Sequence, residues 1–161
     1  MPFDKKALIN AVIAAMDFEC ETLASAIRVA IDGATNDQSK PENKYDTRAL
    51  EASYLAGAQA ERLRELKGSR EFLASLPLKN FHHDESIGAS AIVELALENQ
   101  RIYYFFLPHG GGHAVMTEDR KLTTLTPQSP IGRAINGKRA GDDVFVEIQG
   151  KERLYSIVGV W

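Results

Sequence analysis

Apolar residues in the first half of the chain recur at alternating spacings of four and three, which is a heptad pattern. The first seam consists of Ile9, Ile13, Met16, Cys20, Leu23, Ile27 and Ala30. The second seam consists of Ala49, Ala52, Ala56, Gln59, Leu63, Leu66 and Leu73, with Arg70 as an interruption. Such spacing is typical of helices that pack along one face. Because a polar turn at residues 33–43 separates the seams, the sequence predicts two long antiparallel helices, a coiled-coil hairpin over residues 1–78.

After Leu76 and Pro77 the pattern changes to short runs rich in Val, Ile, Tyr and Phe, which is typical of strands. These runs occupy residues 87–97, 101–107, 113–116, 121–126, 143–148 and 153–161. A short helix at residues 131–136 precedes the last two runs. The sequence therefore predicts an α+β fold, in which a projecting helical hairpin precedes a small, mostly antiparallel sheet domain over residues 79–161.

The charge balance restricts the class of partner. The net charge is −3 and neither half of the chain is basic, so binding to nucleic acid by phosphate neutralisation is not expected. Cys20 is the only cysteine, which excludes an intrachain disulfide and favours the cytoplasm. No signal peptide is expected, because the N-terminus lacks a charged segment followed by an unbroken apolar run. No membrane span is expected, because acidic residues such as Asp17 interrupt the most apolar stretch.

Residues 126–134, TPQSPIGRA, carry strong local structural signals. Two prolines bracket Gln-Ser, and each fixes its own backbone and disfavours helix just before it. Ser129 is placed as a helix N-cap, Pro130 occupies the first helical position, and Gly137 is placed to end the helix. The motif predicts a stiff, exposed Ser-Pro turn in front of a short helix.

Residues 109–113, HGGGH, form a second candidate motif. Two histidines four residues apart would share one face of a helix and could bind a metal there. Three consecutive glycines make a helix very unfavourable, and no cysteine or carboxylate lies within the motif. We therefore expect His109 and His113 to lie in a hairpin loop, without a metal.

The chain resembles the Gre family of bacterial transcript-cleavage factors over nearly its whole length. The signature is matched at residues 129–134, SPIGRA, then at Gly137-Lys138 and Gly141-Asp142. RLREL at residues 62–66 is similar to the end of the family's second helix, and Glu42-Asn43 to the Glu-Asn pair at its tip. The resemblance implies an N-terminal antiparallel coiled coil and an FKBP-like C-terminal domain.

The resemblance also implies a function. The hairpin enters the secondary channel of RNA polymerase, while Ser129, Pro130 and Ile131 contact the polymerase from outside the channel. Acidic side chains at the hairpin tip help to hold a second Mg²⁺ in the polymerase active site and so stimulate cleavage of backtracked transcripts. The chain would then be a cofactor protein rather than an enzyme, with no stably bound metal of its own.

Candidate tip acids are Glu42, Asp37 and Asp46, with Asn43 and Tyr45 as supporting residues. The family has an Asp three residues before its Glu-Asn pair, and this chain has Ser39 there. Alignment on RLREL instead extends the tip by about three residues and places Glu42 at that Asp position. Both registers remain open.

Two other functions are compatible with the residues. Lys40 and Lys44 lie beside Glu42, so the chain could occupy the channel and inhibit or tune transcription without cleavage. A sheet of the FKBP type could also serve as a peptide-binding module or prolyl isomerase.

Overall fold

The computed structural model of the chain describes residues 3–35 and 48–161. Its helices are α1 (Lys5–Thr35), α2 (Arg48–Ala74) and α3 (Pro130–Ile135). Its strands are β1 (Ile92–Leu97), β2 (Gln100–Phe106), β3 (Ala114–Met116), β4 (Lys121–Leu125), β5 (Asp143–Ile148) and β6 (Lys151–Val160). Two long helices thus precede a six-stranded sheet with one short helix, which confirms the predicted α+β fold class.

The described residues form two compact units. One unit is helical and comprises the described part of Ala14–Glu71. The other comprises the sheet, α3 and the described part of Met1–Ile13 together with Phe72–Trp161. The beginning of α1 and the end of α2 therefore belong to the sheet unit. The predicted domain boundary after residue 78 stays a prediction.

In the helical unit, α1 and α2 lie antiparallel and pack along the predicted seams. Every seam residue whose side chain is described there is buried or half-buried. Arg70, the interruption in the second seam, donates Nε to Asp17 Oδ1 at 2.9 Å and Nη2 to Asp17 Oδ2 at 3.2 Å. A bidentate pair of this kind has a defined geometry. A second ion pair, between Arg62 and Glu19 at 3.6 Å, also joins α2 to α1.

The sheet has the strand order β3-β4-β2-β1-β6-β5. Four of its neighbouring pairs are antiparallel, and β2 with β4 is parallel, from Tyr103 opposite Leu122 to Phe106 opposite Leu125. Because β2 and β4 run in the same direction, both strands end at the same edge of the sheet. The segments that follow them, residues 107–113 and 126–129, begin side by side.

The main core of the sheet unit lies between the sheet and α3. Ile131 and Ile135 of α3 pack into a buried cluster that includes Phe106, Leu95 and Ile157. Apolar burial of this kind supplies most of the stabilising free energy of a small domain. The face of α3 that carries Ile131 is therefore fixed against the sheet.

All six predicted strands are present, with one displaced start. The pattern predicts a strand from residue 87, whereas β1 begins at Ile92. Ser90 has φ of 71°, which is incompatible with a strand, and its hydroxyl accepts a hydrogen bond from Lys79 N at 2.9 Å. Ile87 is nevertheless buried in the core cluster of the sheet unit, and its N–H donates to Lys138 O while its carbonyl accepts from Gly137 N. Burial in this core, without pairing in the sheet, explains its apolar character.

Lys5, near the start of α1, is only 7 % exposed. Its ammonium group donates to the carbonyl oxygens of Lys79 and Trp161 and lies 4.9 Å from the centroid of the Phe81 ring. Burial lowers the pKa of Lys5 to about 8, from an ordinary value of 10.5. A buried ammonium group therefore ties the first turn of α1 to the sheet unit.

This environment predicts a dependence of stability on pH. Below pH 8 Lys5 is charged in both the folded and the unfolded chain. The folded chain then carries the full free-energy cost of burying the charged ammonium group. Between pH 8 and 10.5 the folded chain releases the proton first, and the free energy of unfolding rises. From about pH 7.5 to about pH 9.5 we expect a rise of about 2 kcal/mol in wild type relative to Lys5→Met, measured by urea denaturation.

The matched control is Lys6→Met, since Lys6 is the exposed neighbour of Lys5. Lys6→Met should keep the wild-type pH profile. If the free energy of unfolding changed with pH in the same way in wild type and in Lys5→Met, the lowered pKa of Lys5 would be contradicted.

Candidate functional site

The Ser-Pro loop, defined as residues 126–131, is built by hydrogen bonds of Ser129. As the N-cap of α3, Ser129 has φ −71° and ψ 155°, and its Oγ accepts from Gly132 N at 3.0 Å. The same hydroxyl donates to Thr126 O at 2.8 Å. Pro130 occupies the start of α3, where a missing N–H costs no helical hydrogen bond. The predicted cap and the predicted first helical residue are both confirmed.

Thr126 and Gly132 are in unusually close contact across the loop. Thr126 O accepts from both Ser129 N, at 3.1 Å, and Ser129 Oγ. A Cβ atom added to Gly132 would lie 1.9 Å from Thr126 O and 2.7 Å from Ser129 Oγ. Gly132 is therefore required for the backbone to close the loop on itself, and the conformation of Ser129 depends on it.

The three residues predicted to contact a partner differ in exposure. Pro130 is exposed, Ser129 is half-buried, and Ile131 is 9 % exposed within the core. The Pro130 ring is thus presented to solvent, while Ile131 anchors α3 beneath it. At the other end of the helix, Gly137 has φ of 76°, as expected for a helix-ending glycine.

The HGGGH motif, named here the glycine loop (residues 109–113), lies beside the Ser-Pro loop. Gly112 N donates to Thr124 O at 2.9 Å, and His113 N donates to Thr124 Oγ1 at 2.8 Å. The motif is not helical, as predicted. The prediction of a hairpin loop is wrong, because the glycine loop connects β2 to β3 and β3 pairs with β4 instead. The parallel pairing of β2 and β4 displaces β3 from its sequence neighbour.

The predicted tip residues Asp37, Glu42, Asn43, Tyr45 and Asp46 lie outside the described residues. Their assignments stay predictions. Within residues 3–35 and 48–161, no three His, Cys, Asp or Glu side chains are grouped so that they could hold a metal ion. In the same part of the chain no helix is both long and apolar enough to cross a membrane.

Comparison with known proteins shows which proteins this chain is similar to. No protein-family model matches the chain. The transcription elongation factor GreA of Syntrophus aciditrophicus (strain SB) is 29 % identical over 164 residues, covering 100 % of this chain and 94 % of that protein. The chain is therefore similar over its whole length to a protein named as a Gre factor. The full-length match agrees with the signature at residues 129–134.

Solved structures with Gre-family names are also similar. GreA factor homolog 1 of Thermus thermophilus is 20 % identical, with 97 % of this chain and 96 % of that chain covered and a TM-score of 0.40. A GreA/GreB factor from Nitrosomonas europaea is 17 % identical, with 69 % and 93 % covered and a TM-score of 0.37.

Local sequence rules do not identify Thr126 and Gly132 as supports of the Ser-Pro loop. The contact between them depends on the path of the backbone into α3. The available signal is a glycine inside a six-residue helix. Glycine is unfavourable within a helix, so its presence indicates a position where a larger side chain would not fit.

Proposed function

We propose that this chain is a transcription elongation factor that binds RNA polymerase at its secondary channel and stimulates cleavage of backtracked transcripts. Full-length similarity to a protein named as a transcription elongation factor supports the general function. The observation that carries the proposal is the rigid presentation of Pro130 at the family signature, by hydrogen bonds from Ser129 to both sides of the loop. Such a factor acts in the cytoplasm, on the polymerase itself.

The Ser-Pro loop has the properties of a docking element. Its backbone is held by Thr126 O and Gly132, so little conformational entropy is lost when a partner binds. Pro130 adds an exposed apolar ring on a fixed backbone. We assign the partner contact to Pro130 and Ser129, and a supporting role to the buried Ile131.

The long helices suit insertion into a channel. With 31 residues, α1 spans about 46 Å. Residues 36–47 connect α1 to α2 and contain Asp37, Glu42 and Asp46. Mg²⁺ prefers oxygen ligands and keeps several waters, so one or two carboxylates from a second protein suffice to help hold it. In the polymerase active site the ion would supply charge stabilisation for the cleavage reaction.

The proposal is tested with a backtracked elongation complex that carries labelled RNA. Added wild-type protein should bind the complex and shorten the transcript in the presence of Mg²⁺. Binding without shortening, together with competition against a cleavage-active factor, would instead establish a channel-binding inhibitor. Prolyl isomerisation of a peptide without polymerase binding would establish the FKBP-type alternative.

Pro130→Asp should weaken polymerase binding without unfolding the sheet unit. The substitution removes the apolar ring and adds a negative charge, and an acidic residue at the start of a helix is tolerated by the helix dipole. We expect binding to weaken by about tenfold or more, which is about 1.4 kcal/mol, in a titration of labelled protein with polymerase.

Pro77→Asp is the matched control, because Pro77 is an exposed loop proline elsewhere in the sheet unit. It should bind like wild type. Equal weakening by both variants would show that the effect is not specific to the Ser-Pro loop.

A further inference from the structure

Strand β5 (Asp143–Ile148) lies at one edge of the sheet. It pairs with β6 on one side, and no other strand of the described chain lies on its other side. The free side of an edge strand presents backbone N–H and C=O groups to which a further strand can bind. Edge strands are commonly protected against such pairing by Pro or Lys, and β5 contains neither. Its backbone can therefore accept a further strand.

The side chains of β5 alternate between the two faces of the sheet. Val144 and Val146 belong to the core between the sheet and α3, so the residues between and beside them lie on the opposite face, named here the outward face. On this face Phe145 is 65 % exposed, and it lies directly opposite Leu154 of β6, which is 46 % exposed. The edge strand thus carries an exposed apolar pair at its centre.

The charges around this apolar pair have one sign. Asp143 and Glu147 flank Phe145 on β5, and Glu152 of β6 lies directly opposite Glu147. Like charges directly opposite each other are destabilising, and a cation placed beside them would offset the repulsion. No Lys or Arg occupies the outward positions of these two strands, which are residues 143, 145, 147, 152, 154, 156 and 158.

The basic residues of the neighbouring positions do not neutralise these carboxylates. Arg153 and Lys151 of β6 lie opposite Val146 and Ile148, so the alternation of the strand directs them to the other face of the sheet. Arg101 of β2 shares the outward face, but it is paired with a glutamate of β1, its Nη1 lying 3.7 Å from Oε1 of that residue. The outward face of β5 and β6 is therefore both apolar and acidic.

The charges decide which kind of strand fits the edge. Two β5 strands paired antiparallel with their Phe145 side chains together would place Asp143 of each copy opposite Glu147 of the other, so both charged pairs would be repulsive. A second copy of the chain is therefore a poor partner. Nucleic acid is also disfavoured, because its phosphates would be repelled by the same carboxylates. A basic protein segment is the complementary partner.

We propose that β5 is a docking edge for an extended segment of another protein, which adds as a further strand and carries a basic, an apolar and a basic residue at alternate positions. The apolar residue packs on Phe145, and the two cations lie opposite Asp143 and Glu147. In strand addition of this kind, main-chain hydrogen bonds supply affinity and the alternate side chains supply specificity. The inference goes beyond the proposed function and does not depend on it, because it assigns no contact with RNA polymerase.

Two labelled peptides test the edge, Thr-Arg-Thr-Val-Thr-Arg-Thr and the matched Thr-Glu-Thr-Val-Thr-Glu-Thr. Fluorescence anisotropy measures their affinities for the full chain, and NMR of isotope-labelled protein shows which backbone amides shift. Phe145→Thr removes the apolar contact and Glu147→Lys reverses one charge. The controls Met116→Thr and Glu118→Lys change exposed residues of matching character at or beside β3, the other edge strand. Urea denaturation checks that each variant is folded.

We expect wild type to bind the arginine peptide at least about tenfold more tightly than the glutamate peptide, with amide shifts centred on β5. Both test variants should bind the arginine peptide about fivefold more weakly or worse, and both controls within about twofold of wild type. Equal affinity for the two peptides, binding of neither, or amide shifts centred elsewhere would overturn the inference. Protection of the β5 amides that grows with protein concentration in the absence of peptide would instead make β5 a contact between copies, and would also overturn it.

Discussion

Glu42→Gln should keep the affinity for RNA polymerase and reduce transcript cleavage by at least about tenfold. The substitution preserves the size of the side chain and removes its charge, and a neutral amide oxygen is a much poorer partner for Mg²⁺ than a carboxylate. Glu42 is singled out because it adjoins Asn43 and because both alignment registers place it at an acidic position of the family. The measurement is the rate of RNA shortening in a backtracked complex at saturating protein.

Three controls accompany this experiment. Asp37→Asn and Asp46→Asn test the other candidate acids and should reduce cleavage less than Glu42→Gln. Glu71→Gln changes an exposed glutamate near the other end of α2 and should leave cleavage unchanged. Undiminished cleavage by Glu42→Gln would remove this residue from the proposed mechanism.

Gly132→Ala should destabilise the sheet unit by about 2–4 kcal/mol, although alanine is the better helix former. The added methyl group would lie 1.9 Å from Thr126 O, and that neighbour is backbone that cannot rotate away. Either α3 moves, which disturbs Ile131 and Ile135 in the core, or the Ser129 cap opens. The free energy of unfolding from urea denaturation measures the loss, and polymerase binding should fall with it.

Gly68→Ala is the matched control for this substitution. Gly68 lies within α2, and a Cβ atom there meets no atom within 4 Å. We expect it to leave stability unchanged or to raise it by up to about 1 kcal/mol. A Gly132→Ala protein as stable as wild type would show that the loop can close in another way.

The features that follow from neighbouring residues were predictable from the sequence. Ser129 caps α3, Pro130 begins it and Gly137 has a positive φ, as the order Ser, Pro, Gly indicates. The two seams were also predictable, because heptad spacing is visible in a single helix. The resemblance to the Gre family rested mainly on the same short signature at residues 129–134.

Contacts between distant segments were not predictable in this way. The sequence marks Arg70 as a break in the seam, but the identity of its partner Asp17 depends on how α1 and α2 align. In the same way, apolar periodicity cannot show that Ile87 is buried in the core without belonging to a strand. The position of the glycine loop beside Thr126 depends on the parallel pairing of β2 and β4, which no local sequence pattern predicts.

The Asp17–Arg70 pair limits how a hairpin of this kind can change in length during evolution. An insertion in only one helix would either separate this pair or put the seam positions beyond the insertion out of register. Insertions between this pair and the connecting segment must therefore occur in both helices, and seven residues in each restore the same face. The helical hairpins of related proteins should then differ in length by steps of roughly 10 Å, which is two helical turns.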